Sequence, residues 1–187
     1  MKVTEAQIPG MLIFQPKLFS DERGFFLETW SQERYHQAGI QLSFVQDNIS
    51  FSQKGTLRGL HYQHPQGQGK LVGVLSGEVM DVAVDIRVNS PTFGQSVSLI
   101  LSESNHKQMY IPPGFAHGFC VISQTALFGY KCTDYYNPSA EGGINWNDPD
   151  LGIDWPIESP LVSAKDTEFP MLKDIRPELL PHLGEVS

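Results

Sequence analysis

From Lys70 onward the chain is a succession of short apolar runs separated by turn residues. Val79–Ile86 alternates cleanly, with Met80, Val82, Val84 and Ile86 on one face and Asp81, Ala83 and Asp85 on the other. That is the period of a strand, whose side chains point to opposite faces in turn. Further strand-like runs fall at Ser96–Leu101, Lys107–Ile111, Phe119–Ile122 and Ala126–Thr133. Turn residues part them at the spacing of roughly 8–12 residues that a sandwich or barrel needs. No repeat, low-complexity tract or linker interrupts the series. The pattern predicts an antiparallel all-β fold of the jelly-roll kind.

The flanks add little helix. Leu12–Phe14 and Gly24–Trp30 read as short strands around turn chemistry at Ser20–Gly24. Ser31–Ala38 is the one good early helix: Ser31 suits the N-cap, Trp30 and Tyr35 the hydrophobic staple, and Gly39 the stop. Gln41–Phe51 reads as a strand, followed by a turn at Gln53–Gly55. The tail from Asn137 is rich in Pro, Gly, Trp and Asp, with Trp146–Pro156 resembling packed loop and Pro170–Leu180 suited to one or two helical turns. At 187 residues the whole is expected to be one domain, 1–187, with the tail 137–187 packing over the barrel.

A formal net charge of −8 and no basic stripe make nucleic acid a poor partner, because binding a phosphate polymer needs clustered Lys and Arg. A small anion remains suitable if a few cations converge. No apolar run approaches the roughly 20 residues that span a bilayer, and the first residues lack the apolar core of a signal peptide. A cytoplasmic setting with no membrane partner is expected. Cys120 and Cys132 both lie in apolar runs and are read as buried free thiols.

Chemistry concentrates in Arg58–Lys70, which holds Arg58, His61, His64 and Lys70 in what reads as a polar loop feeding the strand at Leu71–Leu75. With His117 in Tyr110–Phe119, three histidines invite a metal, and Pro112-x-Gly114-x-x-His117 resembles the second half of the cupin motif. The first half does not match. A metal-binding cupin shows His-x-His and then Glu, whereas this chain has His-x-x-His and then Lys70, a cation ill-suited to a bound divalent ion. The same residues suit proton abstraction beside a carbonyl. A neutral histidine serves as base, a carboxylate orients it, a cation steadies the enolate oxygen, and an acid on the opposite face completes an inversion. Tyr130 is the candidate acid, because it shares the even-numbered face with Phe128. His64 is read as a bystander. Asp81 and Asp85 are read as structural groups on the inward face, with a bond from Asp81 to a catalytic side chain as the alternative.

The segments Arg58–Gln63, Gln68–Val72, Gly77–Arg87, Ser90–Gly94, Ile111–Phe119, Tyr130–Tyr136, Trp146–Pro149 and Leu161–Asp166 resemble the dTDP-4-dehydrorhamnose 3,5-epimerase family. The matches run in order from near Phe19 to Asp166. The resemblance implies a cupin-like jelly-roll barrel with a few short helices, free of metal and cofactor and usually a homodimer. It implies a dTDP-sugar substrate, dTDP-4-dehydro-6-deoxy-D-glucose, inverted at carbons 3 and 5 on either side of the keto group. By motif, His61 would be the base, Asp166 its orienting partner, Lys70 the enolate cation and Tyr130 the acid. Arg58, Gln46, Asp47, Asn48, His117, Glu141 and Lys165 would line the sugar and nucleotide site. Phe19, Arg23 and Glu28 would reach the nucleotide across the dimer, and Tyr136 would lie by its nucleotide end. Three alternatives stay open: an epimerase acting at one carbon only, a metal-dependent cupin, and a nucleotide-sugar binder without catalysis.

Overall fold

A computed structural model describes residues 1–184; the last three residues, to which the expectations for the domain and its tail extend, lie outside the described residues. The strands are β1 (Lys2–Glu5), β2 (Leu12–Gln15), β3 (Leu18–Asp21), β4 (Gly24–Leu27), β5 (Gln46–Gln53), β6 (Leu57–Gln63), β7 (Lys70–Ser76), β8 (Glu78–Asp85), β9 (Ser96–Ser102), β10 (Gln108–Ile111), β11 (Phe115–Val121), β12 (Thr125–Cys132) and β13 (Glu141–Gly143). Two short helices join them, α1 (Gln32–Gln37) and α2 (Ala164–Thr167). Antiparallel pairing builds a six-stranded sheet in the order β1-β2-β10-β7-β12-β5 and a five-stranded sheet in the order β13-β6-β11-β8-β9, while β3 and β4 form a separate hairpin.

The sheets face each other as a cupin-like jelly-roll sandwich. Val72, Met109, Ile111, Ala126 and Phe128 of the larger sheet share one core with Val79, Ala83, Val97, Leu101, Phe115, Phe119 and Val121 of the smaller. The alternation of β8 is real, yet both of its faces are buried. Met80, Val82, Val84 and Ile86 pack outward under Ile144, Leu151, Leu172 and Leu180 of the tail. Within Pro170–Leu180, where one or two helical turns are expected, the chain makes two 3₁₀ turns, at Leu172–Asp174 and Pro177–Leu179. Helix α1 lies on the outer face of the larger sheet, where Tyr35 and Ile40 meet Phe14, Leu71 and Tyr110. Trp30 packs against Tyr35, tilted, with ring centroids 4.8 Å apart, as a staple should, but Ser31 holds the N-cap position without a side-chain bond.

Three expectations need correction. The strand expected over Gln41–Phe51 begins only at Gln46. β11 starts at Phe115, so His117 sits within a strand and not before one. Arg58 and His61 lie on β6, not in a loop; only the stretch between Gln63 and Lys70 is loop. The reason is tertiary. β6 is paired on both sides, by β11 and by β13, and Leu60 and Tyr62 on its outer face are covered by the tail. Such cover allows polar residues on the inner face without the alternation of a half-exposed strand. Where β6 crosses β11 the register shifts, and Gly59 at φ +139° lies so close to Gly118 that neither tolerates a Cβ.

One loop is tied by charge. The buried Asp85 carboxylate accepts from the Arg87 backbone N–H and guanidinium, the Ser90 hydroxyl and the Thr92 hydroxyl. Burial alone would raise this carboxyl; the Arg87, Ser90 and Thr92 bonds outweigh it and hold it below the usual value. Asp85→Asn keeps the shape and removes the charge. It should lower the unfolding free energy in urea at pH 7 by about 3 kcal/mol, the scale for breaking a buried ion pair. A carboxyl depressed by folding stabilises above its unfolded pKa of about 3.9 and loses that contribution as pH falls through the folded value. The gap between variant and parent should therefore narrow below about pH 4; a gap independent of pH would contradict the assignment.

Candidate active site

Strand register decides which polar side chains meet inside the sandwich. On the five-stranded sheet, His61 stands opposite His117 on one side and Gly143 on the other. Residues directly opposite across paired strands share a face, so the two imidazoles enter the same interior. On the six-stranded sheet, Lys70, Cys132 and Gln46 form one row across β7, β12 and β5, and Val72, Tyr130 and Asn48 form the next inward row. Phe128, beside Tyr130 at 6.0 Å, crosses to stack on Phe119 at 4.2 Å and His117 at 6.1 Å, which closes the floor between the sheets.

His61 is held from the tail. Its Nε2 lies 2.8 Å from Asp166 Oδ1, and the other carboxylate oxygen accepts the Gly59 N–H at 3.2 Å. Ser163 caps α2 by accepting the Asp166 N–H, which fixes the helix that carries the carboxylate. Burial would raise the Asp166 carboxyl, but the His61 bond and charge, the Gly59 N–H and Ser163 hold it below the usual range. An ionised Asp166 accepts the Nε2–H and leaves the Nδ1 lone pair of His61 free to take a proton.

A second imidazole–carboxylate pair lies deeper. His117 Nε2 is 2.9 Å from Asp81 Oδ2, both residues are buried, and Asp81 Oδ1 has no partner among the described residues. Burial pushes the Asp81 carboxyl up and the His117 imidazole down, each towards its neutral form. Burial also pulls the Lys70 ammonium down, opposed by Cys132, Asp81 and Glu141. The Tyr130 phenol is raised by burial, with Cys132 adding and Arg58 opposing, so it is protonated at neutral pH and able to donate.

At the rim, Glu141 accepts from the Tyr136 hydroxyl and from the Lys165 ammonium. Burial would raise Glu141; its bonds to Lys165 and Tyr136 bring it below the ordinary value. Gln46 accepts the Tyr136 N–H and donates to Asn48, while Arg58 donates to Ser52.

Register, hydrogen bonds and mutual charge effects thus link His61, Asp166, Lys70, Tyr130, His117, Arg58, Gln46, Asn48, Tyr136, Glu141 and Lys165 into one cluster between the two sheets. They do not bring Asp47, Phe19, Arg23 or Glu28 there. Gln46 and Asn48 take the inward face of β5, so Asp47 points outward and binds Lys131 at 2.8 Å. Arg23 is paired with Asp21 on the exposed hairpin, and Glu28, just past the hairpin, with Arg34 of α1. His64 lines a separate depression with Leu42, Val45 and Pro113. Sequence reasoning missed Ser163, Phe169 and the β13 strand. The signal available for the first was a Ser three residues before Asp166, a helix-capping spacing.

Comparison with known proteins gives a consistent result. The family model described as dTDP-4-dehydrorhamnose 3,5-epimerase matches residues 5–174. A protein of that name from Pseudomonas aeruginosa is 55% identical over 170 residues, covering 90% of this chain and 94% of the relative. A dTDP-6-deoxy-D-glucose-3,5-epimerase from Legionella pneumophila, solved with dTDP-4-keto-L-rhamnose, superposes with a TM-score of 0.95 at 55% identity over 97% of this chain and 98% of that one. A 3'-monoepimerase from Streptomyces bikiniensis, solved with dTDP-quinovose, has a TM-score of 0.90 at 35% identity over 95% and 92% of the two chains.

Both cysteines are free and buried, and burial pushes the Cys120 thiol up to about 11 and raises Cys132 as well. A thiol is nucleophilic only as thiolate. The folded protein should therefore show no fast-reacting thiol with an aromatic disulfide reagent at pH 8, and two after denaturation. Rapid labelling of Cys132 in the native state would mean a thiolate beside Lys70.

Proposed function

The chain belongs to the dTDP-4-dehydrorhamnose 3,5-epimerase family, and from that premise we propose that it epimerises dTDP-4-dehydro-6-deoxy-D-glucose at carbons 3 and 5 to dTDP-4-dehydro-L-rhamnose. One observation carries the reading. An imidazole held by Asp166 and a protonated phenol reach a single interior from opposing sheets, with a lysine on the phenol's sheet. Inversion requires removal of a proton on one face and its return on the other.

In this mechanism His61 Nδ1 takes the proton from the carbon beside the keto group. The electron pair moves through the new double bond to the carbon-4 oxygen, and the Lys70 ammonium stabilises the enolate that forms. Losing one donor at such an oxyanion typically costs about 3–4 kcal/mol of barrier. Tyr130 then delivers its proton to the opposite face, and once His61 has released its proton to solvent and the Tyr130 phenolate has taken one back, the same steps serve the second carbon. Asp166 holds the tautomer and offsets the imidazolium charge, in the way of other His–Asp pairs. Arg58, Gln46, Asn48 and His117 are read as lining the sugar, and Glu141, Lys165 and Tyr136 as lining its nucleotide end. The barrel and the tail that carries Asp166 act as one unit. A soluble nucleotide sugar as substrate supports a cytoplasmic setting, and no described helix is long and apolar enough to cross a membrane.

A homodimer is part of the proposal. Phe25 and Phe26 on the hairpin and Ile49, Phe51 and Leu75 on the outer face of the larger sheet are all exposed, Phe26 by 70%. A groove of about 550 Å³ is lined by Phe25, Ile49 and Leu75 of this set. So large an apolar patch marks an interaction site. A second copy seated there would give Phe19, Arg23 and Glu28 a route to the nucleotide of its partner. The second reading, an epimerase acting at one carbon, draws on the likeness to the 3'-monoepimerase.

Proton NMR of the substrate with the protein in heavy water tests the reaction: signals at carbons 3 and 5 should both be lost, and loss at one alone would establish the single-site reading. His61→Ala should abolish both exchanges. Tyr130→Phe should retain exchange but lower completed inversion by roughly 10²-fold or more; unchanged product formation would remove Tyr130 as the acid. Arg23→Ala should weaken dTDP binding about tenfold or more, as loss of a charge-assisted phosphate contact does, with scattering mass still that of a dimer. A monomeric parent with full dTDP affinity would refute the shared site.

A further inference from the structure

One hydrogen bond at Nε2 fixes a point on the His61 ring but not its plane, because the χ2 torsion of histidine has a broad well. The ring is also near the rim, its side chain 31% exposed against 5% for Asp166. A second contact supplies what the bond leaves free. Phe169, three residues beyond Asp166, meets the imidazole edge to face with centroids 5.7 Å apart and planes at 75°. Its seat is made by Gly143, the strand partner of His61, where a Cβ would lie only 2.3–2.4 Å from three carbons of the Phe169 ring. The Lys165 ammonium lies 6.0 Å from the centroid of the same ring, while its charge is engaged by Glu141.

We propose that Phe169 is a positioning residue for His61: its ring sets the imidazole plane, so that Nδ1 is aimed at the substrate carbon, and keeps water from the His61–Asp166 bond. The contact geometry suits this better than simple core filling, because Phe169 is only half-buried and belongs to none of the main apolar clusters. Aromatic pairs in edge-to-face arrangement resist rotation as well as separation. The three features that meet at this ring are separate in the chain: a strand histidine, a side-chain-free strand partner, and an aromatic on the segment that brings the carboxylate. The inference rests on His61 being the base and deepens that reading.

Steady-state kinetics on dTDP-4-dehydro-6-deoxy-D-glucose, with solvent-deuterium exchange followed in parallel, test it in the full-length protein. Phe169→Ala should lower kcat roughly tenfold or more while KM stays within about twofold, since a misaimed group costs turnover and not ground-state binding. Phe169→Leu, which refills the wall, should recover most of that loss. Gly143→Ala should reproduce it with Phe169 intact, because the added methyl displaces the ring. A kcat for Phe169→Ala within twofold of the parent, or a loss carried by KM alone, would overturn the proposal while His61→Ala still abolishes exchange. Exchange that survives His61→Ala would instead remove the base itself, and the proposal with it.

Discussion

The Asp166 carboxylate joins two stretches of chain 105 residues apart in a single contact, and the rest of the site depends on it. Without that bond β6 presents an imidazole of undefined tautomer at a wet rim. With it, one ring nitrogen is committed, the other is free, and the tail is tied to the barrel it covers. The same carboxylate also takes the Gly59 N–H at the point where β6 shifts register against β11. A backbone amide in an irregular stretch, which would otherwise lack a partner, is thereby satisfied. One group therefore serves the fold and the proposed chemistry together.

The electrostatics grade from rim to floor. At the rim, Glu141, Lys165 and Tyr136 compensate one another in contact with solvent. At the floor, burial pushes Asp81, His117 and Lys70 each towards its neutral form; Asp81 opposes that push on the other two and is opposed by both, while Lys70 adds to it on His117. A low-dielectric interior makes every such interaction stronger and every unpaired charge more costly. An enolate formed there would find a cation already present and little water to compete. A chain with a formal net charge of −8 can still offer an anionic sugar nucleotide cations in this site: Arg58, Lys70 and Lys165 stand there, with Glu141 and Asp166 engaged by Lys165 and His61. Field focusing of this kind is a property of where charges sit, not of their sum.

The strands that were easiest to read were those with one face on the common core. β8, β9, β10 and β12 came within a residue or two of their observed ends, because an apolar or alternating run is recorded directly in residue order. β6 was not legible. Its polar inner face and glycine-broken outline resemble a loop, and what makes it a strand is pairing on both edges by segments some 55 and 80 residues away, with a lid of tail residues above. β13 is three residues long with two glycines, so it has almost no propensity of its own. The outward turn of Asp47 was likewise beyond a motif, since a motif names positions and only the phase of the strand says which of them face inward.

Residue order alone determined the fold class, the family resemblance and the residue types available for acid–base chemistry, because strand period, turn chemistry and ordered motifs are local or linear properties. The tertiary structure decided what those residues meet. It set His61 between His117 and Gly143, brought Asp166 to Nε2, placed Tyr130 on the opposing sheet, and left Phe19, Arg23 and Glu28 outside the cluster on an exposed arm. It also seated Phe169 on a glycine that no periodicity singles out. These are contacts between segments far apart in sequence, fixed by strand register and by which face a tail covers, and neither quantity is written in any one segment.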